Sequence, residues 1–251
     1  MSLIERNVVM GRLGLVCCAL MVLGATSRAA KEELARAVLN KAITAQGGAE
    51  ALARLKGSTY TQEGTAYGKD GAKQARKSRV AILLPDKVRG ERQTPDGLTV
   101  ITVFDGTRGW VKKGDHTEDM PPAQVTYLKE LMYLVHVVSL VPLQDPAFKL
   151  TDLGNSTADG RAVAGINVSR AGHPDVQLFF DRDTGLLYKT VTRQSGKQSD
   201  REEVSWDYRD VGGMKAAMYF AKSENGQRVE EAKLSDYKCA ETLDAGLFAK
   251  P

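Results

Sequence analysis

The residues that could support acid–base or metal chemistry are few, and their spacing fits no familiar catalytic arrangement. The three histidines are His116 in a charged loop, His136 inside an apolar run and His173 before a proline. No two of them are spaced i, i+4, as two metal ligands on one helix would be. A Gly-x-Ser-x-Gly turn and a Gly-rich phosphate loop are both absent. The sequence predicts no enzyme, metal or other cofactor, and a hydrolase that uses one of these histidines is the enzymatic alternative.

The carboxylate pairs give the same indication. Glu202 and Glu203 are neighbours, as are Glu230 and Glu231, and both pairs fall in stretches with strand character. Adjacent strand residues point to opposite faces, so neither pair can share a proton as a catalytic dyad does. Solvated surface is the interpretation that we favour for them. Cys239 has no activating neighbour in the sequence, which indicates a structural thiol.

The first 29 residues have the pattern of a secretory signal peptide. Arg6 and Arg12 precede an apolar run over residues 13–25, and small residues flank a cleavage position after Ala29. An uncleaved membrane anchor and a lipoprotein signal around Cys17 and Cys18 are the alternatives. Cleavage would leave a single domain over residues 30–251 in the periplasm.

Charge and cysteine content narrow the class of protein further. Cleavage after Ala29 removes three arginines and one glutamate and lowers the net charge from +4 to about +2. A charge so small and so evenly spread does not indicate a nucleic-acid partner. Cys239 would then be the one remaining cysteine, so an internal disulfide is excluded and stability must come from an ordinary core. We expect a monomer.

Most of the remaining chain alternates short β-rich stretches with turn residues. Turn signals such as Asp105-Gly106 and Asn225-Gly226 join these stretches by connections too short for parallel crossovers. The sequence predicts an α+β, mostly β fold: a single curved antiparallel sheet of about eleven strands. Two helices precede the sheet: a long one over residues 31–46 and a short one over residues 49–55.

Residues 121–142 (PPAQVTYLKELMYLVHVVSLVP) form the one long, strongly apolar helical pattern after the signal segment. So apolar a helix must be covered, and with no comparable helix to pair with, it must lie on the sheet. A helix over residues 124–141 across the mouth of a curved sheet would enclose an apolar pocket. The alternative is that the helix packs down and leaves no cavity. The expected ligand-binding residues of the helix and the sheet wall are Leu128, Leu131, Met132, Val135, Val138, Phe104 and Trp110.

Six segments, in their order along the chain, resemble bacterial outer-membrane lipoprotein-sorting proteins of the LolA/LolB-like superfamily. The segments are 41–57 (KAITAQGGAEALARLKG), 85–91 (PDKVRGE), 104–110 (FDGTRGW), 180–187 (FDRDTGLL), 207–213 (DYRDVGG) and 243–251 (LDAGLFAKP). The resemblance implies a half-open β-barrel whose apolar cavity holds acyl chains under a helical lid.

The resemblance also implies a function in outer-membrane biogenesis. The expected ligand is a lipidated protein or another molecule with acyl chains, and an inner- or outer-membrane lipoprotein is the expected partner. Relatives with this fold act instead as sensors of lipoproteins or envelope stress, which is the alternative function. One departure concerns Leu84, which stands before Pro85 where the carriers of the family have a lid-latching arginine. The resemblance therefore does not extend to that latch.

Overall fold

The computed structural model describes residues 13–68, 70–94, 96–193 and 200–251, which form one antiparallel sheet and three α-helices. The helices are α1 (Leu13–Gln46), α2 (Ala49–Arg54) and α3 (Pro122–Val138). The strands are β1 (Gly57–Tyr67), β2 (Lys73–Leu83), β3 (Lys87–Gln93), β4 (Thr99–Phe104), β5 (Gly109–Lys113), β6 (His116–Asp119), β7 (Lys149–Ala158), β8 (Arg161–Ser169), β9 (Val176–Asp181), β10 (Leu187–Arg193), β11 (Asp200–Val211), β12 (Met214–Glu224) and β13 (Gln227–Ala240). Short 3₁₀ helices span Val141–Gln144 and Ala245–Phe248.

The order of the strands explains why the sheet stays open. Each strand pairs with the next from β1 to β6 and from β7 to β13, and β1 also pairs with β13. The edges are therefore β6 and β7, which follow each other along the chain without pairing. The segment between these two edges contains α3, so the helix connects one side of the curved sheet to the other. The predicted mostly β fold and half-open barrel are confirmed.

The sheet has thirteen strands over the described ranges, compared with about eleven predicted. The residue pattern does not predict β6, because the charged stretch around its first residue, His116, indicates a loop. The strand has only four residues and no apolar alternation, so its sequence carries no strand pattern. It is an edge strand, and polar side chains on an edge oppose pairing with other chains.

The hairpin predicted at Asn225-Gly226 is present. Asn225 has φ 51° and Gly226 has φ 76°, as a type I′ turn requires, and the flanking Glu224 and Gln227 are paired. Leu140, just beyond the end of α3, has φ 67° and ψ −48°, and the Val141 N–H donates to the Ser139 carbonyl oxygen at 2.9 Å, which forms a γ-turn. The helix therefore ends at Val138 rather than at the predicted Val141.

The first helix is longer than predicted, because α1 begins at Leu13 rather than at Lys31. The apolar run over residues 13–25 contains four leucines, two alanines and a methionine, which are good helix formers, so the helix continues through that segment. Residues 1–12 of the proposed signal peptide lie outside the described part of the chain. The predicted end of the helix at Gln46 is confirmed, and Gly47 and Gly48 follow it with φ values of 133° and 89°.

The two halves of the sheet are covered differently. Helix α1 covers the half of the sheet that contains β7, β8 and β9. Its buried side chains, such as Leu39 and Ile43, belong to the largest core cluster, together with Phe148 and Ile166. The half formed by β2 to β5 is covered on its outer face by the C-terminal 3₁₀ helix, where Phe248 is 2% exposed. The inner face of the central strands faces α3.

Candidate functional site

Helix α3 packs at both ends and bridges a hollow in between. Towards its N-terminus, Leu128 and Met132 pack with Phe104 and Met120 from the sheet side. Towards its C-terminus, Val137 is fully buried in the core cluster that includes α1. These contacts hold the helix across the sheet while part of its apolar surface stays uncovered.

A cavity of about 450 Å³ lies between α3, α2 and the inner face of the sheet. This volume is within the range of roughly 300–1,000 Å³ that small-molecule pockets occupy. The helix therefore does not fill the space beneath it, and the alternative without a cavity does not describe this structure. The apolar sheet residues that line the cavity include Val80, Ile82, Val88, Phe220 and Leu234.

Five of the seven residues that we expected to bind a ligand lie together on this wall. They are Leu128, Leu131, Met132, Val135 and Val138, all on α3. Helical spacing brings them onto the side of α3 that faces the sheet.

Phe104 and Trp110, the two wall residues expected from the sheet, do not line the cavity. Phe104 is fully buried behind Leu128 and Met132, so it supports the wall without forming its surface. Trp110 is paired with Val103, and it packs with Phe248 on the outer face. Because side chains alternate along a strand, Val103 and Phe104 point to opposite faces. Trp110 lies opposite Val103 on the neighbouring strand, so it points to the same outer face as Val103.

Gly90 is a wall position that the sequence analysis missed. It lies on β3 opposite Val80 and lines the cavity. A Cβ built at Gly90 would meet no heavy atom within 4 Å, so the missing side chain leaves open space. A glycine inside a strand can mark a site where a ligand approaches the backbone closely, and this is the signal that could have identified it.

Three tyrosines add neutral polar groups to the wall. Tyr60 and Tyr237 stack with ring centroids 5.2 Å apart, and the Tyr208 hydroxyl donates to the Leu187 carbonyl oxygen at 2.6 Å. Burial raises the pKa of Tyr237 to about 12 and also raises the pKa values of Tyr60 and Tyr208. These phenols are therefore protonated at neutral pH, and the O–H groups of Tyr60 and Tyr237 can donate hydrogen bonds to a ligand.

The interpretation of the carboxylate pairs as solvated surface needs a correction. Glu203 lines the cavity together with Lys222, whereas its neighbour Glu202 pairs with Lys189 through Oε2 and Nζ at 2.8 Å. The predicted opposite orientation of adjacent residues holds, but one of the two faces borders the cavity. Which face of β11 borders the cavity depends on where α3 lies over the sheet, and α3 is distant from β11 in the sequence.

Comparison with solved structures identifies the fold. A LolA superfamily protein from Nitrosomonas europaea superposes with a TM-score of 0.60 at 11% identity, over 86% of this chain and 97% of the other. A putative outer membrane lipoprotein-sorting protein domain from Vibrio parahaemolyticus gives 0.58 at 13% identity, over 87% and 97%. A DUF1329 family protein from Desulfovibrio piger gives 0.58 at 9% identity, over 86% and 97%. The chain has the LolA-like fold. No protein-family model and no curated protein sequence matches it.

Within this LolA-like fold, Leu84 lines the cavity as an apolar residue. A cation approaches α3 from a different strand: the Arg201 guanidinium on β11 lies 5.7 Å from the centre of the Tyr127 ring. Arg201 also pairs with Glu224, through Nη2 and Oε1 at 2.6 Å. Arg201, on the strand that carries Glu203, therefore links the sheet to α3.

The histidines lie away from the cavity. His116 is exposed on β6, and His173 stacks on Tyr133 of α3 with ring centroids 3.9 Å apart. His136 is half-buried near Phe148, and burial lowers the pKa values of His136 and His173. Across the described ranges, no three His, Cys, Asp or Glu side chains are grouped so that they could hold a metal ion.

Among the residues that the structure describes, no helix is both long enough and apolar enough to span a membrane.

Proposed function

We propose that this protein is a periplasmic carrier or binder of lipids or lipoproteins that holds acyl chains in the cavity beneath α3. The observation that supports this most directly is an apolar cavity of about 450 Å³ under a helix whose side chains Leu131, Val135 and Val138 form its cover. The Vibrio parahaemolyticus structure is described as a putative lipoprotein-sorting domain, and the acyl chains of a lipoprotein are a ligand class that suits this wall.

The energy available from burial is sufficient for reversible binding. Each CH₂ group taken out of water contributes about 0.8 kcal/mol. A chain of about twelve such groups therefore gains on the order of 10 kcal/mol before the cost of ordering the ligand and α3 is subtracted. Binding of this kind requires shape and apolar area and no catalytic group, so the proposed function is not enzymatic.

Location and assembly complete the proposal. Residues 1–29 act as an export signal that is removed near Ala29, and residues 30–251 form one lipid-binding domain in the periplasm. The domain acts as a monomer and exchanges its ligand with a lipoprotein of the inner or outer membrane. Mass spectrometry of the protein from a periplasmic extract tests the cleavage, because a chain that keeps residues 1–29 would contradict it.

The test of ligand binding begins with protein purified from its native envelope. Native mass spectrometry should show a bound species that releases acyl chains, and the delipidated protein should take up a diacylated lipopeptide or a phospholipid with a 1:1 stoichiometry. Delipidated protein that binds neither ligand would contradict the proposal. A stoichiometric protein partner that stays bound when its lipid is removed would support a sensor module instead.

A further inference from the structure

An ion cluster interrupts the apolar lining of the cavity where β11, β12 and β13 run side by side. Glu203 lies opposite Lys222, and Lys222 lies opposite Glu230. The Nζ atom of Lys222 is 3.2 Å from Glu230 Oε2 and 3.8 Å from Glu203 Oε2. Residues that lie opposite each other on adjacent strands share a face, so all three side chains belong to the face that borders the cavity.

The two carboxylates of this cluster are not equally satisfied. Glu230 accepts a hydrogen bond on each oxygen, from Gln62 Nε2 at 2.8 Å and from Lys222 Nζ at 3.2 Å. Within the described part of the chain, Glu203 accepts no hydrogen bond, and its one ionic contact is the 3.8 Å approach to Lys222. An ionised carboxylate can accept about four hydrogen bonds. Glu203 lines the cavity with 31% of its side chain accessible, so this capacity is open to a ligand.

The cluster also carries an excess of negative charge. Burial alone would lower the pKa of Lys222, but attraction to Glu203 and Glu230 outweighs burial and raises it, so the ammonium stays charged. Two carboxylates therefore face one ammonium. Arg201 lies on the same face two residues before Glu203, but its charge is paired with Glu224 at 2.6 Å. The lysines that border the cavity elsewhere, Lys56 and Lys215, lie roughly 20 Å from the cluster along β1 and β12, too far to neutralise it.

We infer that Glu203 determines ligand specificity by accepting hydrogen bonds from the polar group at one end of an acyl chain in the cavity. The group that fits is a donor without negative charge, such as an amide N–H, a hydroxyl or an ammonium. An anionic head group would add a further negative charge to a cluster that already has two carboxylates and one ammonium, in apolar surroundings where repulsion is weakly screened. This inference rests on the proposed function and narrows its ligand class.

The test compares single-chain probes that share a twelve-carbon tail and differ only in the head group. Dodecylamine, dodecanol and dodecanoate are titrated, below the concentrations at which they aggregate, against the delipidated full chain by displacement of a fluorescent apolar probe. The amine should bind about tenfold more tightly than the carboxylate, because it donates hydrogen bonds to a charged acceptor. In Glu203→Gln this ratio should fall close to one.

Glu202→Gln is the matched control, since Glu202 pairs with Lys189 on the other face of the same strand. It should keep the ratio of the unaltered protein. Equal binding of the amine and the carboxylate by the unaltered protein, or a ratio that Glu203→Gln leaves unchanged, would overturn the inference while acyl-chain binding stands. Failure of all three probes to displace the apolar probe would overturn the proposed function together with the inference.

Discussion

Gly90 lies opposite Val80 on the cavity face of the sheet, and a Cβ at Gly90 would point into open space. We therefore expect Gly90→Leu to fill part of the cavity without a clash. Affinity for a twelve-carbon probe should fall about tenfold, because the side chain occupies volume that the ligand needs. Titration with the displaced fluorescent probe measures this.

The control for this substitution is Gln93→Leu, which adds the same side chain at an exposed position of β3. It should leave the affinity unchanged. Unaltered binding by Gly90→Leu would show that ligands do not use the space beside this strand.

Trp110 and Phe248 are buried together on the outer face, away from the cavity. Trp110→Ala should lower the free energy of unfolding by about 3–5 kcal/mol, the usual cost of truncating a buried aromatic side chain. Affinity for acyl probes should stay the same in the folded protein. Chemical denaturation and probe titration measure the two quantities.

Trp206 is the second tryptophan and is 39% exposed, so Trp206→Ala is the control and should cost less than Trp110→Ala. A loss of affinity in folded Trp110→Ala would show that Trp110 contacts the ligand after all.

Arg201 contacts the Tyr127 ring and thereby joins β11 to the first half of α3. In Arg201→Ala we expect faster hydrogen exchange in the amides of α3 around Tyr127, because the helix loses a cation–π contact. Arg209→Ala removes an exposed cation from the same strand and should leave this exchange unchanged. Equal protection of α3 in both variants would mean that Arg201 does not hold the helix.

Asp181 stabilises the turn after β9. Its Oδ1 accepts hydrogen bonds from the backbone N–H of Asp183 and Thr184, and its Oδ2 accepts one from Arg161 at 2.9 Å. Burial opposes ionisation, but the hydrogen bonds from Thr184 and Arg161 outweigh it and lower the pKa of Asp181. The carboxylate therefore contributes stability above its unfolded-state pKa of about 3.9, and this stability is lost as the pH falls through the lower folded-state value.

Asp181→Asn should cost about 1–3 kcal/mol at pH 7 and should make the free energy of unfolding less dependent on pH between about 5 and 2. Urea denaturation across that pH range measures both effects. Asp183→Asn alters the same turn at a side chain that accepts no hydrogen bond in the described chain, and it should retain the acid dependence. Parallel pH profiles for the unaltered protein and Asp181→Asn would contradict this assignment.

Cys239 lines the cavity, and burial raises the pKa of its thiol. Alkylation by iodoacetamide at pH 7.5 should be slow, because the thiolate is the reactive form, and a bound acyl chain should slow it further. Peptide mapping separates Cys239 from Cys17 and Cys18. Alkylation at the same rate with and without a saturating ligand would place the acyl chain away from this wall.

Local residue patterns were enough to predict most elements of the fold. The apolar spacing of residues 121–142 predicted α3, and the Asn225-Gly226 pair predicted the last hairpin, because helical spacing and left-handed turn residues act within a few positions of the chain. The same patterns failed for β6, whose four polar residues become a strand only through pairing with β5.

The sequence by itself determined which residues of α3 are apolar and that the five predicted ligand-binding residues of this helix share one of its sides. Only the tertiary structure decided which sheet residues face them. The pairing of β1 with β13 joins the two halves of the sheet. The registers of β11 to β13 bring Glu203, Lys222 and Glu230 together. A cavity is volume left between elements that are distant in sequence. Its size and its charged lining therefore depend on how the strands pair and on how α3 bridges the two edges of the sheet. No local residue pattern contains that information.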